Sequence, residues 1–124
     1  MSSESFEKLE IFQLAEQIAD SVWRLVQGWE QLGKATVGVQ LVRAADSVGA
    51  NIAEGAGRGS FQDNRRFVRI ARGSLNETRY WLRRAHQRQL LKAEDVSRLR
   101  PLIRELGPRL NAYLRSIGPQ AKDQ

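Results

Sequence analysis

Several residue types are scarce or missing in this chain of 124 residues. It has no cysteine and one histidine, and no apolar run approaches the roughly 20 residues that span a bilayer. Without cysteine there is no disulfide framework, thiolate nucleophile or cysteine zinc site. The first residues also lack the basic and apolar regions of a secretory signal. We therefore expect one cytoplasmic domain over residues 1–124, with no cofactor, no metal and no membrane partner.

Positive charge, in contrast, is abundant and unevenly distributed. The formal net charge is +6, yet residues 1–30 carry two basic and six acidic side chains, whereas residues 58–92 carry ten basic and two acidic ones. Sixteen of the twenty basic residues are arginines, whose planar guanidinium suits phosphate or carboxylate recognition better than the ammonium of lysine. This concentration of arginine favours an anionic partner. The alternative is that a GC-rich genome favours arginine codons and that the arginines cover a solvated helix face.

Apolar residues recur at helical spacing in four segments, at about 9–29, 37–55, 61–90 and 94–117. The apolar stripe of the first segment, flanked by Trp23, is wide enough to contact two neighbouring helices or another subunit. No segment alternates like a strand, and every connection is short. The sequence therefore predicts an all-α protein, an antiparallel up-down-up-down four-helix bundle.

The ends of these helices are also marked in the sequence. The polar connection from Gly28 to Thr36 predicts a loop, with Thr36 as the N-cap of the second helix. Pro101 and Pro108 project away from the apolar seam of the fourth segment. They are therefore expected to bend this helix without ending it.

The third segment has two contrasting faces. One side of its helical wheel is expected to face the core and holds Phe67, Ile70, Ala71, Ser74, Thr78, Trp81, Leu82 and Ala85. The opposite side holds five residues that we call the arginine stripe: Arg65, Arg69, Arg72, Arg79 and Arg83. On an unbroken helix the stripe is about 27 Å long. It would match a nucleic-acid backbone or an acidic face of another protein, and Tyr80 at its flank is a candidate for stacking on an unpaired base.

A glycine-rich turn, GAGRGS, precedes the third segment. A phosphate-binding loop would follow a strand, and here a helix precedes the turn. The preferred interpretation is therefore that Gly55 ends the second helix and that Ser60 caps the third. Arg58 in this turn extends the basic region beyond the arginine stripe.

A spaced motif between residues 40 and 77 resembles the 23S rRNA intervening-sequence protein family of small bacterial four-helix-bundle proteins. The resemblance extends from about Phe6 to Ile117, and its motif positions are Arg43, Asn51, Glu54, Gly55, Arg66, Phe67, Gly73, Ser74 and Glu77. It implies a four-helix protomer and a homopentamer. It also implies kinship in fold to the accessory variability determinant proteins, which bind nucleic acid and a reverse transcriptase. The biochemical role of the family is poorly defined.

This chain departs from the family pattern in three places. Gly49 stands where a proline is usual, and Ala93 lies near the usual serine cap of the fourth helix. Asn64 and Arg65 replace more apolar residues at the start of the third helix, which makes this end more basic. The last change favours an anionic partner near residues 58–69, or it is drift on an exposed end.

The leading functional hypothesis is a non-enzymatic oligomer that binds RNA or DNA through Arg58 and the arginine stripe. The alternative is a structural or adaptor protein whose stripe contacts another subunit, a reverse transcriptase or another protein. Acidic residues of the first helix would then pair with the stripe between subunits, with Glu10, Glu16 and Asp20 as candidates.

An enzyme is the least favoured class, and no catalytic residue is assigned. The single histidine, His86, has no serine, cysteine or metal-ligand set near it in the sequence. Glu54 and Glu77 could form a carboxylate pair. A structural network is the better interpretation, in which Glu77 pairs with Arg43 or Arg66.

Overall fold

A computed structural model describes residues 6–118 of the chain. A 3-10 turn, Phe6–Lys8, is followed by four long helices. Helix α1 is Glu10–Gln27, α3 is Phe61–Gln87 and α4 is Ala93–Ser116. Helix α2 runs without interruption through Gln31–Gly33, the π-helical Lys34–Gly38 and Val39–Ala56. No residue between 6 and 118 lies in a strand, which confirms the all-α prediction. The ends of the predicted domain, residues 1–5 and 119–124, lie outside the described residues.

The four helices contribute side chains to one hydrophobic core. Helix α2 packs against α1 and α3, and α4 packs against the same two helices. Helix α2 buries six residues of its apolar repeat, namely Val37, Leu41, Ala44, Ala45, Val48 and Ile52. In α4 the middle of the predicted seam is buried, with Leu99, Ile103, Leu106 and Leu110. Burial of each larger aliphatic side chain contributes roughly 1.5–3 kcal/mol.

The connection between α1 and α2 is shorter than predicted. Helix α2 begins at Gln31, and Gly33 has helical dihedral angles, φ −63° and ψ −43°. One glycine does not end a helix when its neighbours are good helix formers, here Gln31 and Lys34. The prediction of Thr36 as an N-cap is therefore wrong, since its hydroxyl donates to the Leu32 carbonyl at 2.7 Å, one turn back in the same helix.

The starts of α3 and α4 are capped by side chains. The Ser60 hydroxyl accepts a hydrogen bond from the Asp63 backbone N–H at 3.1 Å, as the sequence predicts. At α4, the Asp95 carboxylate accepts from the backbone N–H of Lys92 at 2.8 Å, so it helps to cap a helix without the usual serine. Helix α4 continues through Pro101 and Pro108, both exposed, and this confirms that the prolines do not end it.

None of the helices in the described part of the chain combines the length and apolar character needed to cross a membrane.

Candidate nucleic-acid interface

The buried side of α3 is rotated about the helix axis relative to the prediction. Val68 and Leu75 are fully buried, although the predicted face omits both. Ile70, which the prediction places in the core, is 42% exposed. The predicted core residues Ala71, Ser74, Thr78 and Ala85 are buried. Because Val68 and Leu75 lie on the side toward the stripe, the arginines border the core instead of lying opposite to it.

Three arginines of the stripe contact neutral oxygen atoms. Arg65 Nη1 donates to the Ile117 carbonyl oxygen at 3.0 Å, at the end of α4. Arg72 Nη1 donates to Asn111 Oδ1 of α4 at 3.1 Å, and Arg79 Nη1 donates to Asn76 Oδ1 at 2.8 Å. A Cβ atom on Gly107 would lie 2.8 Å from Arg79 Nη2, which places that guanidinium against α4. These contacts orient the side chains and leave their positive charges uncompensated.

The stripe continues onto α4, which sequence reasoning missed. Arg69 and Arg83 are exposed and form no ion pair with any residue between 6 and 118. The same holds for Arg100 and Arg104, which border one cavity together with Arg79 and Arg83. Residues four apart share a helix face, so the spacing of Arg100 and Arg104 carried a signal. We call Arg69, Arg72, Arg79, Arg83, Arg100 and Arg104 the cationic seam.

Arg58 and Arg66 occupy a different environment at the start of α3. Arg58 lies 3.7 Å from a Glu54 oxygen and 4.0 Å from an Asp63 oxygen. Arg66 lies 3.5 Å from the other Asp63 oxygen. Both guanidinium groups also lie over the Phe67 ring, 5.0 and 4.5 Å from its centroid. The structure thus separates these two carboxylate-paired arginines from the uncompensated arginines of the seam.

The motif residues form a hydrogen-bond network between α2 and α3. Asn51 Nδ2 donates to the Ser47 carbonyl at 2.8 Å and to Ser47 Oγ at 2.9 Å. The Ser74 hydroxyl donates to Ser47 Oγ at 2.9 Å, across the helix interface. The buried Thr78 hydroxyl donates to the Ser74 carbonyl at 2.8 Å. Asn51 and Ser74 of the motif are therefore brought together, through a serine that the motif did not include.

The ion pair suggested for Glu77 does not form with Arg43 or Arg66 in the chain. Glu77 is exposed, and its Oε2 accepts from Trp81 Nε1 at 3.3 Å. Eleven residues separate Glu77 from Arg66 along one helix, a distance of about 16 Å, so the two side chains cannot meet within the chain. Arg43 is exposed on α2.

Two glycines of the motif have contrasting surroundings. Gly55 is buried where α2 meets α3, and an added Cβ would lie 2.7 Å from Asn64 Oδ1 and 3.0 Å from Phe67 Cβ. Gly73 is exposed, and apart from its chain neighbours and the local helix backbone no atom lies within 4 Å of an added Cβ. The packing of the described chain therefore explains the glycine at position 55 and leaves the one at position 73 without a packing role.

The acidic residues of α1 are partly engaged within the chain. Glu10 Oε2 accepts from Arg109 Nη1 of α4 at 2.9 Å, so one candidate partner of the stripe already has a guanidinium of its own chain. Asp20 lies near Asp46 of α2, where burial and then the negative charge of Asp20 raise the pKa of the Asp46 carboxyl above its usual value. Glu16 is exposed.

The fold and this surface define a class of small, all-helical, arginine-rich proteins. Within that class, the chain belongs to the 23S rRNA-intervening sequence protein family, whose family model matches residues 7–112. This confirms the resemblance inferred from the motif. No curated protein matches the chain.

A solved structure has a similar fold. It is the crystal structure of a protein with unknown function from the S23 ribosomal protein family of Bacteroides thetaiotaomicron. The TM-score is 0.74 at 21% sequence identity, over 86% of this chain and 99% of the other. At this identity the comparison shows the shared helical fold alone.

Proposed function

We propose that this protein binds RNA or DNA through the cationic seam, as a non-enzymatic oligomer. The observation that carries the proposal is the chemical identity of the seam's partners. Its arginines contact neutral oxygens or form no ion pair with a described residue, whereas Arg58 and Arg66 are paired with carboxylates. An array of uncompensated guanidinium groups on two adjacent helices attracts a phosphate backbone.

This proposal narrows the set of contact residues. Arg69 and Arg83 are the strongest candidates for phosphate contact on α3, because neither forms an ion pair with a residue between 6 and 118. Arg65 and Arg58 contribute less, since one is held by the Ile117 carbonyl and the other by Glu54 and Asp63. Phosphate contacts of this kind position a nucleic acid without reading its sequence.

The test compares two double variants with the same change in charge. Arg69→Gln/Arg83→Gln removes uncompensated arginines, and Arg58→Gln/Arg66→Gln removes paired ones. Binding of fluorescent single-stranded RNA and duplex DNA is measured by anisotropy from low to physiological salt. The first variant is expected to lose affinity and to lower the slope of log K against log salt by about 1.4–1.8, at about 0.7–0.9 for each lost phosphate contact.

The control variant should keep most of the wild-type affinity and slope, because its arginines already have carboxylate partners. Equal losses in the two variants would refute the assignment of the seam. Absence of binding to either nucleic acid at low salt would refute nucleic-acid binding altogether.

The oligomer in this proposal rests on an apolar band across α1, α2 and α3. Trp23 is 55% exposed, Val39 39% and Tyr80 52%. Val39 borders two clefts, one shared with Trp23 and the other with Tyr80 and Trp81. Such a contiguous apolar surface is typical of a contact between subunits. We infer that it joins copies of an up-down-up-down bundle into a cytoplasmic oligomer, for which the family resemblance favours a homopentamer.

The same band supports the second candidate function, a structural or adaptor protein. A reverse transcriptase or another protein would bind the assembled ring, and the arginine stripe would contact a neighbouring subunit. Light scattering separates the alternatives, with Val39→Glu expected to dissociate the oligomer. The matched control is Leu32→Glu, because Leu32 is 79% exposed and borders neither cleft. An unchanged molar mass for Val39→Glu would contradict the interface.

The variant Arg69→Glu/Arg72→Glu/Arg79→Glu then decides how the stripe is used. An intact oligomer that no longer binds nucleic acid supports binding, whereas loss of the oligomer supports the adaptor function. The proposal that the protein is not an enzyme rests on the exposure of four of the five stripe arginines, Arg69, Arg72, Arg79 and Arg83, which do not converge with carboxylates in an enclosed pocket.

A further inference from the structure

A cavity lies between the second half of α3 and the first half of α4. Its volume is about 360 Å³, which is within the range of about 300–1,000 Å³ for small-molecule sites. The connection between the two helices also borders it, through Leu91. The cavity is therefore formed by one continuous stretch of chain, without a contribution from α1 or α2.

The floor of this cavity is apolar. Leu99 and Ile103 of α4 are buried, and Leu82 of α3 is partly buried beside them. Leu91 and Val96 complete this apolar lining. The only hydrogen-bonding side chains of the lining are those of the rim, so the floor favours a hydrocarbon or aromatic group.

The rim carries only arginine and histidine side chains. Arg79 and Arg83 come from α3, and Arg100 and Arg104 come from α4, with His86 beside them. No carboxylate lines the cavity, and none of these arginines forms an ion pair with a residue between 6 and 118. Four guanidinium groups around one opening repel one another, and an anion placed between them relieves that repulsion.

We propose that this cavity binds a small organic anion with an apolar body, whose phosphate or carboxylate group contacts the rim. A nucleic-acid backbone would satisfy the rim but leave the apolar floor exposed to water. A neutral apolar molecule would cover the floor and leave four positive charges without a partner. Only a ligand with both parts satisfies both surfaces, because guanidinium groups bind such head groups in bidentate geometry.

The test uses the full-length protein and four probes: octyl phosphate, octanoate, octanol and inorganic phosphate. Affinities are measured by calorimetry, and the site is located by the NMR signal of the His86 imidazole, the only histidine in the chain. One or both amphiphilic anions should bind and shift this signal. They should bind at least about tenfold more tightly than inorganic phosphate, since each buried methylene contributes about fourfold in affinity. The same margin is expected over octanol, which has no charge for the guanidinium groups of the rim. The tighter anion identifies the head group.

Two variants of α4 provide the matched comparison. Arg100→Gln/Arg104→Gln removes two rim charges and should weaken octyl phosphate or octanoate by at least about tenfold, since interactions with charged groups are strong. Arg98→Gln/Arg115→Gln removes two charges from the same helix outside the cavity and should change the affinity by no more than about twofold. Circular dichroism verifies that both variants are folded.

Four results would overturn the proposal: no binding of octyl phosphate or octanoate to the wild type, inorganic phosphate binding as tightly as the amphiphiles, an unshifted His86 signal at saturation, or equal losses in the two variants. The cavity shares Arg79, Arg83, Arg100 and Arg104 with the cationic seam, so the two proposals are separated by their ligands: octyl phosphate and octanoate test the cavity, and RNA and DNA test the seam. If Arg100→Gln/Arg104→Gln lost only nucleic-acid affinity while octyl phosphate and octanoate did not bind the wild type, the cavity proposal alone would fail.

Discussion

The close approach of α2 and α3 at Gly55 leads to a prediction of opposite signs for two glycine substitutions. In Gly55→Ala the new methyl group would lie 2.7 Å from Asn64 Oδ1, 3.0 Å from Phe67 Cβ and 3.2 Å from the Asn64 carbonyl oxygen. The last two atoms cannot retreat without moving α3. In Gly73→Ala the methyl group would point into open space.

The expected magnitudes follow from these distances. Overpacking of a core site costs about 1–3 kcal/mol, and replacing a helical glycine by alanine gains about 0.5–1 kcal/mol. Gly55→Ala should therefore lower the free energy of unfolding by about 1–2 kcal/mol, whereas Gly73→Ala should raise it by about 0.5–1 kcal/mol. For a domain of this size, each kcal/mol corresponds to about 3–6 °C in Tm.

Thermal and urea denaturation, followed by circular dichroism, measure both effects. Measurements at low protein concentration reduce any contribution from contacts between subunits. The reasoning is refuted if Gly55→Ala is at least as stable as the wild type, or if both substitutions lower the stability by the same amount. The second outcome would mean that loss of glycine itself, and not the distance between helices, determines the result.

Three further predictions concern polar groups. Burial and the charge of Asp20 raise the pKa of Asp46 in the folded chain, so protonation of this carboxyl stabilises the fold. This stabilisation is complete below the pKa of the unfolded chain and is lost as the pH rises through the pKa of the folded chain. Asp46→Asn should therefore raise Tm at neutral pH, and a gain that persisted at acidic pH below both pKa values would contradict this cause. Ser47→Ala removes the hydroxyl that binds Ser74 and should cost about 1 kcal/mol in urea denaturation, more than Ser97→Ala on the exposed side of α4. Asp95→Ala should cost about 0.5–2 kcal/mol and speed amide exchange at the start of α4, and unchanged exchange would count against the cap.

The apolar repeats of α2 and α4 were sufficient to predict which face of each helix is buried. In α2, alanines at helical spacing accompany Val37, Leu41, Val48 and Ile52, and this apolar repeat is buried. In α4 the apolar seam continues past Pro101 and Pro108, because both prolines lie on the exposed side of the helix. A periodic apolar pattern determines a helix face whenever one direction is clearly more apolar than the others.

The pattern was less informative for α3, where apolar residues occur in more than one direction. Ile70 and Trp81 widen the apolar face of α3 on one flank, and Val68 and Leu75 widen this face on the other flank. The choice between these flanks depends on where α4 lies, which the sequence of α3 does not contain. The prediction placed Ile70 in the core. It therefore placed the arginine stripe opposite the core and away from α4, which the stripe contacts.

The candidate site was predicted only in part, again because the sequence of α3 does not contain the position of α4. The five stripe arginines were identified from α3 alone, and the structure places three of them in hydrogen bonds to neutral oxygens. The spacing of Arg100 and Arg104 indicates that they share a face of α4, but only the packing of α4 against α3 shows that this face adjoins the arginine stripe. Conversely, only the structure shows that Arg58 is occupied by Glu54 and Asp63.

The hydrogen bonds from arginines of the cationic seam to asparagine side chains affect the entropy of ligand binding. A free arginine side chain loses up to about 1.5–2 kcal/mol of rotamer freedom when it becomes fixed. Arg72 and Arg79 are already oriented by the amide oxygens of Asn111 and Asn76, and these acceptors carry no charge that an incoming anion would have to displace. Both side chains are therefore preorganised for a phosphate or carboxylate, and part of the ordering that a ligand requires is achieved when the chain folds.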